Sequence, residues 1–177
     1  MQITIGGVPG AGKSTAARLI AEKLGYDFYS MGKIRRKIAE ERGLTIDQFN
    51  SLPENTDEMV DEYQRKLGKK GDNFVNEGRL SFYFMPQSVK IYFDCELNVA
   101  ASRIFKDQRS SERAYAAIEE VVDDLKKRMD NDRQRYGKYY NIDCYNPKNF
   151  DYVIDTTRLT LDEVVDKVLE IVKKHSN

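Results

Sequence analysis

Residues Gly7-Val8-Pro9-Gly10-Ala11-Gly12-Lys13-Ser14 match G-x-x-x-x-G-K-[ST] at every fixed position. They stand between a short β-like run, Gln2-Ile3-Thr4-Ile5, and a helical pattern over residues 15–24. Strand, loop and helix in that order are the context in which the motif carries meaning. Glycines let backbone N–H groups crowd around phosphate oxygens without Cβ clashes, and the helix that follows turns its positive end to the same anion. The motif predicts that Gly7, Val8, Pro9, Gly10, Ala11, Gly12, Lys13, Ser14 and Thr15 hold a nucleoside triphosphate. Lys13 is expected to reach the β- and γ-phosphates, and the Ser14 hydroxyl to ligate Mg²⁺. Three glycines alone could make nothing more than a tight turn. The full match, its location and the helix behind it favour the triphosphate.

Size and charge narrow the remaining choices. A chain of 177 residues suggests one domain, 1–177, with room for a substantial core and a mobile subdomain. Lys plus Arg total 29 and Asp plus Glu total 29, so nothing points to broad nucleic-acid or membrane binding, and any basic site must be local. Cys95 and Cys144 lie far apart with no C-x-x-C partner, which suggests neither a zinc site nor a disulfide framework. The one histidine, His175, is near the end of the chain, which argues against a histidine-based nucleophile triad or metal site. No apolar run approaches the ~20 residues that span a bilayer, and no signal-type apolar segment follows Met1. The expectation is a cytoplasmic protein.

Short β-like runs alternate with helical patterns along the chain. Strands are expected at residues 26–29, 72–76, 88–93 and 152–154. Helices are expected at 34–42, 46–52 (Thr45 as N-cap, Pro53 as stop), 56–68, 98–105, about 113–140 and 161–174. In the 56–68 helix, Met59, Val60, Tyr63 and Leu67 are expected to form the apolar face. Such alternation argues for an α/β fold with a parallel sheet whose ligands sit beyond the C-terminal strand ends. The phosphate loop, Ser30-Met31-Gly32 and Glu77-Gly78-Arg79 each follow a strand, so all three fall on one rim.

The arginines suggest a second anion site. Arg36 follows Gly32 by four residues and Arg79 directly follows a strand; each is a planar fork able to grip a phosphate bidentately. Either alone is as readily a solvated surface arginine. Arg128, Asp132 and Arg135 stand at i, i+4 and i+7, on one face of the long helix. One reading is an exposed ladder of helical salt bridges extended upstream by Asp124, contributing a few tenths of a kcal/mol per pair. The other is that both arginines meet phosphates while Asp132 accepts from sugar hydroxyls. Arg109, in the polar run at 106–112, would then sit on a short lid over the donor phosphates.

Taken in order, Gly-x-x-x-x-Gly-Lys-Ser, Ser-x-Gly-x-x-x-Arg, Glu-Gly-Arg and Arg-x-x-x-Asp-x-x-Arg resemble the archaeal-type cytidylate kinases of the nucleoside monophosphate kinase family. The similarity runs from Gln2 to about Ile171, and the segment Ala39-Glu40-Glu41-Arg42-Gly43 adds to it. The resemblance implies a three-layer P-loop kinase fold with a five-stranded parallel sheet, an acceptor-binding helical subdomain at 31–70 and a lid at 106–113. It implies phosphoryl transfer from ATP to CMP or dCMP. Lys13, Arg109, Arg128 and Arg135 would be catalytic. Ser30, Gly32, Arg36, Arg79, Arg128 and Asp132 would bind the acceptor. Mg²⁺ would be held by Ser14 and, through water, by Glu77.

The chain departs from that pattern at Lys33, where an acidic residue is common, at Asn76 in a strand that usually stays apolar, and at the bulky Phe82-Tyr83-Phe84. These positions bear on the base of the acceptor, whose contacts are expected from residues 45–85. An acceptor such as AMP or a small metabolite is the rival within kinases. A nucleotide-dependent switch is the rival outside them, and no guanine-specifying Asn-Lys-x-Asp segment supports it. A monomer is expected, because such lids must swing freely.

Overall fold

Gln2–Gly7 (β1) runs up the middle of a parallel sheet, with Phe74–Glu77 (β3) on one side and Val89–Asp94 (β4) on the other. Asp27–Ser30 (β2) and Tyr152–Asp155 (β5) are the edges, giving the order β2-β3-β1-β4-β5. The computed structural model describes residues 1–50, 52, 56–107 and 115–175, with the backbone but not the side chain of Asp47. Among those residues, the five strands make one sheet. Ile3, Ile5, Val75, Ile91 and Phe93 are buried on it, as expected of parallel strands covered on both faces.

The helices fill the connections. Lys13–Leu24 (α1) ends where Gly25, at φ 67, turns the chain and returns its N–H to Ala21 and Glu22. Met31–Glu41 (α2) begins directly after β2, three residues before the expected start, because the Ser30 side chain caps it by accepting from the Lys33 N–H. Ile46–Asn50 (α3) opens on a reciprocal cap: Gln48 N–H donates to Thr45 Oγ1 and Thr45 N–H to Gln48 Oε1. It stops short of the expected 52, and Pro53 lies outside the described residues. Asp57–Lys69 (α4), Ser81–Phe84 (α5), Leu97–Lys106 (α6), Ile118–Tyr140 (α7) and Leu161–His175 (α8) complete the set. The single-turn α5 and a 3₁₀ turn at Pro147–Asn149 are too short to leave a periodic signal.

The apolar face of α4 differs from the one expected. Val60 and Leu67 are buried, but Met59 and Tyr63 are exposed, and the buried stripe instead carries Asp57, Asp61 and Gln64. A polar stripe facing inward is the reason a hydrophobic-period reading misplaced this face.

Three clusters divide the interior. The largest joins the sheet to α1, α6, α7 and α8. A second, around Leu80, Phe82, Tyr136, Cys144 and Tyr145, lies under α7. A small third cluster of Met31, Val60, Leu67, Phe74 and Met85 belongs to α2 and α4 and their seat on β3. On the β4–β5 side, Arg103 of α6 donates to the carbonyls of Thr156 and Thr157, and the Thr156 hydroxyl to the carbonyl of Ala11. The loop after β5 is thereby fastened to the phosphate loop.

Candidate active site

The strand register brings the motif residues onto one rim. Ser30 aligns with Glu77 across β2 and β3, and Ile5 with Glu77 across β1 and β3, so both motifs finish beside the phosphate loop. At the loop's base, Gly7 has φ 127, and a Cβ there would come within 2.1 Å of the Phe93 carbonyl oxygen. Only glycine lets the loop leave β1 that close to β4. The Val8 N–H donates to the same carbonyl at 3.0 Å.

Lys13 folds back over the loop, its Nζ donating to the Val8 carbonyl at 2.6 Å. Burial pushes its pKa down to about 8, the Glu77 carboxylate opposes that, and Arg79 and Arg128 add to it. Burial works against this cation's charge, so an incoming polyanion would stabilise it further. Glu77, buried at the top of β3, accepts from Ser14 Oγ at 3.1 Å and Ser30 Oγ at 2.7 Å through the same Oε2. One carboxylate thus joins the phosphate loop to the start of α2. Oxygen donors of this kind suit Mg²⁺, which needs few protein ligands where phosphates supply the rest. Among the described residues, no group of three His, Cys, Asp or Glu side chains could hold a metal by itself.

The second part of the site is a buried ionic cluster. Asp132, 4% exposed, receives Arg79 Nε and the Tyr145 hydroxyl (2.6 Å) on Oδ2, and Arg135 Nη2 (2.8 Å) on Oδ1. Burial pushes its pKa up, but Arg79, Tyr145 and Arg135 more than reverse that and hold it below the ordinary carboxylate range. Arg135 also faces Asp57 across to α4, with Nε 2.8 Å from Oδ2. Neither atom is aligned for a hydrogen bond, so this link is electrostatic. Arg35 closes the chain: it donates to Asp57 Oδ1 and Thr56 Oγ1, both at 2.6 Å, and to Asn50 Oδ1 at 2.8 Å. The exposed ladder considered for α7 is therefore not what this helix makes at Asp132. Arg128 is exposed, yet close enough for its charge to act on both Lys13 and Asp132.

Arg36 lies over Gly32, whose added Cβ would sit 3.7 Å from the guanidinium. With Ser14, Thr15, Arg18 and Lys33, it lines an open cleft of about 370 Å³ beside the phosphate loop. Arg109 and the rest of 108–113 lie outside the described residues. Cys95 and Cys144 are both buried and free, and burial pushes Cys144 up to about 12, so its thiol is inert. No helix of the described residues is long and apolar enough to cross a membrane.

Sequence reasoning missed Arg35, Asp57, Asp61 and Tyr145. A signal existed for two of them: Asp57, Asp61 and Gln64 repeat the i, i+4, i+7 spacing of Arg128, Asp132 and Arg135. Tyr145 follows α7 in an irregular segment, where no spacing could mark it.

Comparisons with known proteins bear on the family and the fold. The AAA domain family model matches residues 6–122. A cytidylate kinase of Methanobrevibacter smithii is 34% identical over 98% of this chain and 99% of its own length. One from Methanothrix thermoacetophila is 38% identical over 89% and 90%. Among solved structures, a shikimate kinase of Acinetobacter baumannii in complex with shikimate superposes with TM-score 0.65 at 20% identity, covering 98% of this chain and 93% of that one. An uncharacterized protein from Eubacterium ventriosum gives 0.73 at 15% identity, covering 98% of each chain. These structural likenesses speak for the three-layer P-loop kinase fold.

Proposed function

The chain belongs to the cytidylate kinase family, and from that premise we propose that it transfers the γ-phosphoryl group of ATP to CMP or dCMP, giving ADP and CDP or dCDP. It is a nucleoside monophosphate kinase. The observation that carries the choice of acceptor site is that Asp132 gathers Arg79 and Arg135, with Arg79 close enough to the phosphate-loop Lys13 for its charge to act there.

In this reading, the phosphate loop and the start of α1 hold the ATP phosphates through backbone N–H groups, and Lys13 leaves the Val8 carbonyl for the β- and γ-oxygens. Arg36 and Arg79 hold the acceptor monophosphate, whose oxyanion attacks in line and needs no strong base. Arg128 and Arg135, with Arg109 from a lid at 106–113, meet the charge that spreads over the transferring group. Asp132 accepts from the pentose hydroxyls. Ser14 and, through water, Glu77 would hold Mg²⁺, which supplies charge neutralisation at the β- and γ-phosphates.

Binding would exchange partners: the acceptor phosphate takes Arg79 from Asp132, and the transferring group takes Arg135 from Asp57 and Asp132. The small separate core of α2 and α4 supports treating 31–70 as a subdomain that closes over the acceptor and keeps water from the donor. A monomer suits such closure.

The test is a coupled ADP-release assay with ATP against CMP, dCMP, UMP, AMP and GMP. Release that depends on CMP or dCMP is expected. A preference for AMP would move the acceptor assignment, and nucleotide hydrolysis that no monophosphate stimulates would overturn the transferase reading.

A further inference from the structure

Beyond the phosphate contacts, α4 buries a polar row that the reaction as described does not use. Asp57, Asp61 and Gln64 share one face of the helix, and Asp61 and Gln64 are each 2% exposed. Asp57 has cations beside it. Asp61 forms no ion pair among the described residues: its partners are the Tyr140 hydroxyl on Oδ2 and the Gln64 amide, at 3.4 Å, on Oδ1. Burying a carboxylate without a cation is costly, and such groups collect at functional sites. The cost is visible in its proton affinity, which burial raises to about 6 against the opposing hydrogen bond from Tyr140.

The row has a direction. Asp57 faces Arg135, so it marks the phosphate and pentose end. Asp61 and Gln64 lie ~6 Å and ~10 Å further along the helix axis, about the reach of a base from its own phosphate. The Gln64 Oε1 accepts from Ser81 at 3.0 Å, and Ser81 stands two residues after Arg79. Aromatic rings border the place: Tyr140 packs 5.6 Å from Tyr83 and 5.8 Å from Phe84, centre to centre. The described links from α4 to α7, Asp57 to Arg135 and Asp61 to Tyr140, are polar and exchangeable rather than apolar.

We propose that Asp61 and Gln64, backed by Ser81, read the pyrimidine of the acceptor, Asp61 accepting from the exocyclic amino group and Gln64 donating to the adjacent ring nitrogen. This rests on the reading of the chain as a CMP kinase. Cytosine presents an amino donor beside a ring acceptor; uracil presents a carbonyl beside a ring N–H. A carboxylate accepts from the first and repels the second, so the pair separates CMP from UMP. Adenine offers the same amino and ring-nitrogen pattern, so its exclusion must come from space, not from these two groups. On binding, the amino group takes the place of the Tyr140 hydroxyl on Asp61.

The experiment compares kcat/KM for CMP and UMP in wild type, Asp61→Asn, Gln64→Leu and Tyr140→Phe, with thermal unfolding and titration of a fluorescent ATP analogue on the same samples. In Asp61→Asn, the CMP-to-UMP ratio is expected to fall about 10²-fold, because an amide can face either base. Gln64→Leu should lower it about tenfold, while Tyr140→Phe keeps it. A folded Asp61→Asn that loses both activities equally, with the ratio intact, overturns the base-reading role while leaving the kinase reading untouched. Should Asp61→Asn fail to fold, an unchanged ratio in Gln64→Leu overturns it. A wild type that phosphorylates neither substrate would sink both readings.

Discussion

The two halves of the site are built on opposite principles. The phosphate loop is eight contiguous residues whose binding groups are backbone N–H donors, placed by positive φ at Gly7, Gly10 and Gly12. The half proposed to hold the acceptor is assembled from α2, the turn after β3, α4 and α7, and its groups are charged side chains held by one another. A backbone cradle needs no partner when empty. A set of half-buried guanidinium groups does, and the buried Asp57 and Asp132 serve as that partner. The difference teaches that the donor side should tolerate side-chain changes in stability but not in chemistry, whereas loss of a paired charge on the acceptor side should cost both.

The largest effect tests the first half of that statement. Lys13→Met is expected to lower kcat by about 10²–10³-fold, while circular dichroism and the urea midpoint stay at wild-type values or rise, since a desolvated cation is lost. Unfolding of this variant would break the contrast.

Next comes Asp132→Ala, which takes the carboxylate from Arg79 and one of two from Arg135 and should remove about 3–5 kcal/mol of stability at pH 7, read by urea denaturation. Because the folded-state pKa of Asp132 is depressed, its contribution is complete above the unfolded carboxylate range and is lost as pH falls below it. The gap between wild type and Asp132→Asn should therefore close in acid.

Asp61 has the opposite sign. Its folded-state pKa is raised to about 6, so the native protein binds the proton more tightly and loses stability as pH rises from about 4 through 6. Tyr140 and Gln64 hydrogen-bond to it, while Asp57, Arg65 and Arg35 act through charge. Asp61→Asn should be more stable than wild type by about 1–3 kcal/mol at pH 8 and lose that advantage at pH 4. An equal difference at both pH values would remove the carboxylate from the explanation.

Two smaller effects sharpen the picture. Gly12→Ala meets no neighbour and should cost only the left-handed backbone, about 1–2 kcal/mol, whereas Gly7→Ala must also displace Phe93 and should cost more. Asn76→Leu should gain about 1 kcal/mol, because among the described residues the buried Asn76 Oδ1 has no hydrogen-bond partner and its amide meets only the Met85 sulfur.

That same contrast governs what could be read from the chain. The phosphate loop was legible in full because its chemistry is local: spacing fixes the turn and the turn fixes the donors. The alternation of strands and helices, and the placing of three motifs on one rim, followed from periodicity and from the rule that ligands sit beyond parallel strands. Asp132 and Arg135 were legible as a face of α7. Their partners were not, because Arg79 and Asp57 come from distant parts of the chain and only folding brings them near. The buried stripe of α4 was misassigned for a related reason: hydropathy cannot register a carboxylate that turns inward to meet another helix.

The ties of Arg103 and Thr156 have one more consequence. With α6, the turn after β5 and the glycine loop tied into a single block, and with α2 and α4 keeping a small core of their own, the closure proposed over the acceptor would fall to the α2–α4 flank. Under the proposed function, ATP would meet a loop already fastened from behind. On the same reading, the monophosphate is the nucleotide over which a jaw would still have to shut.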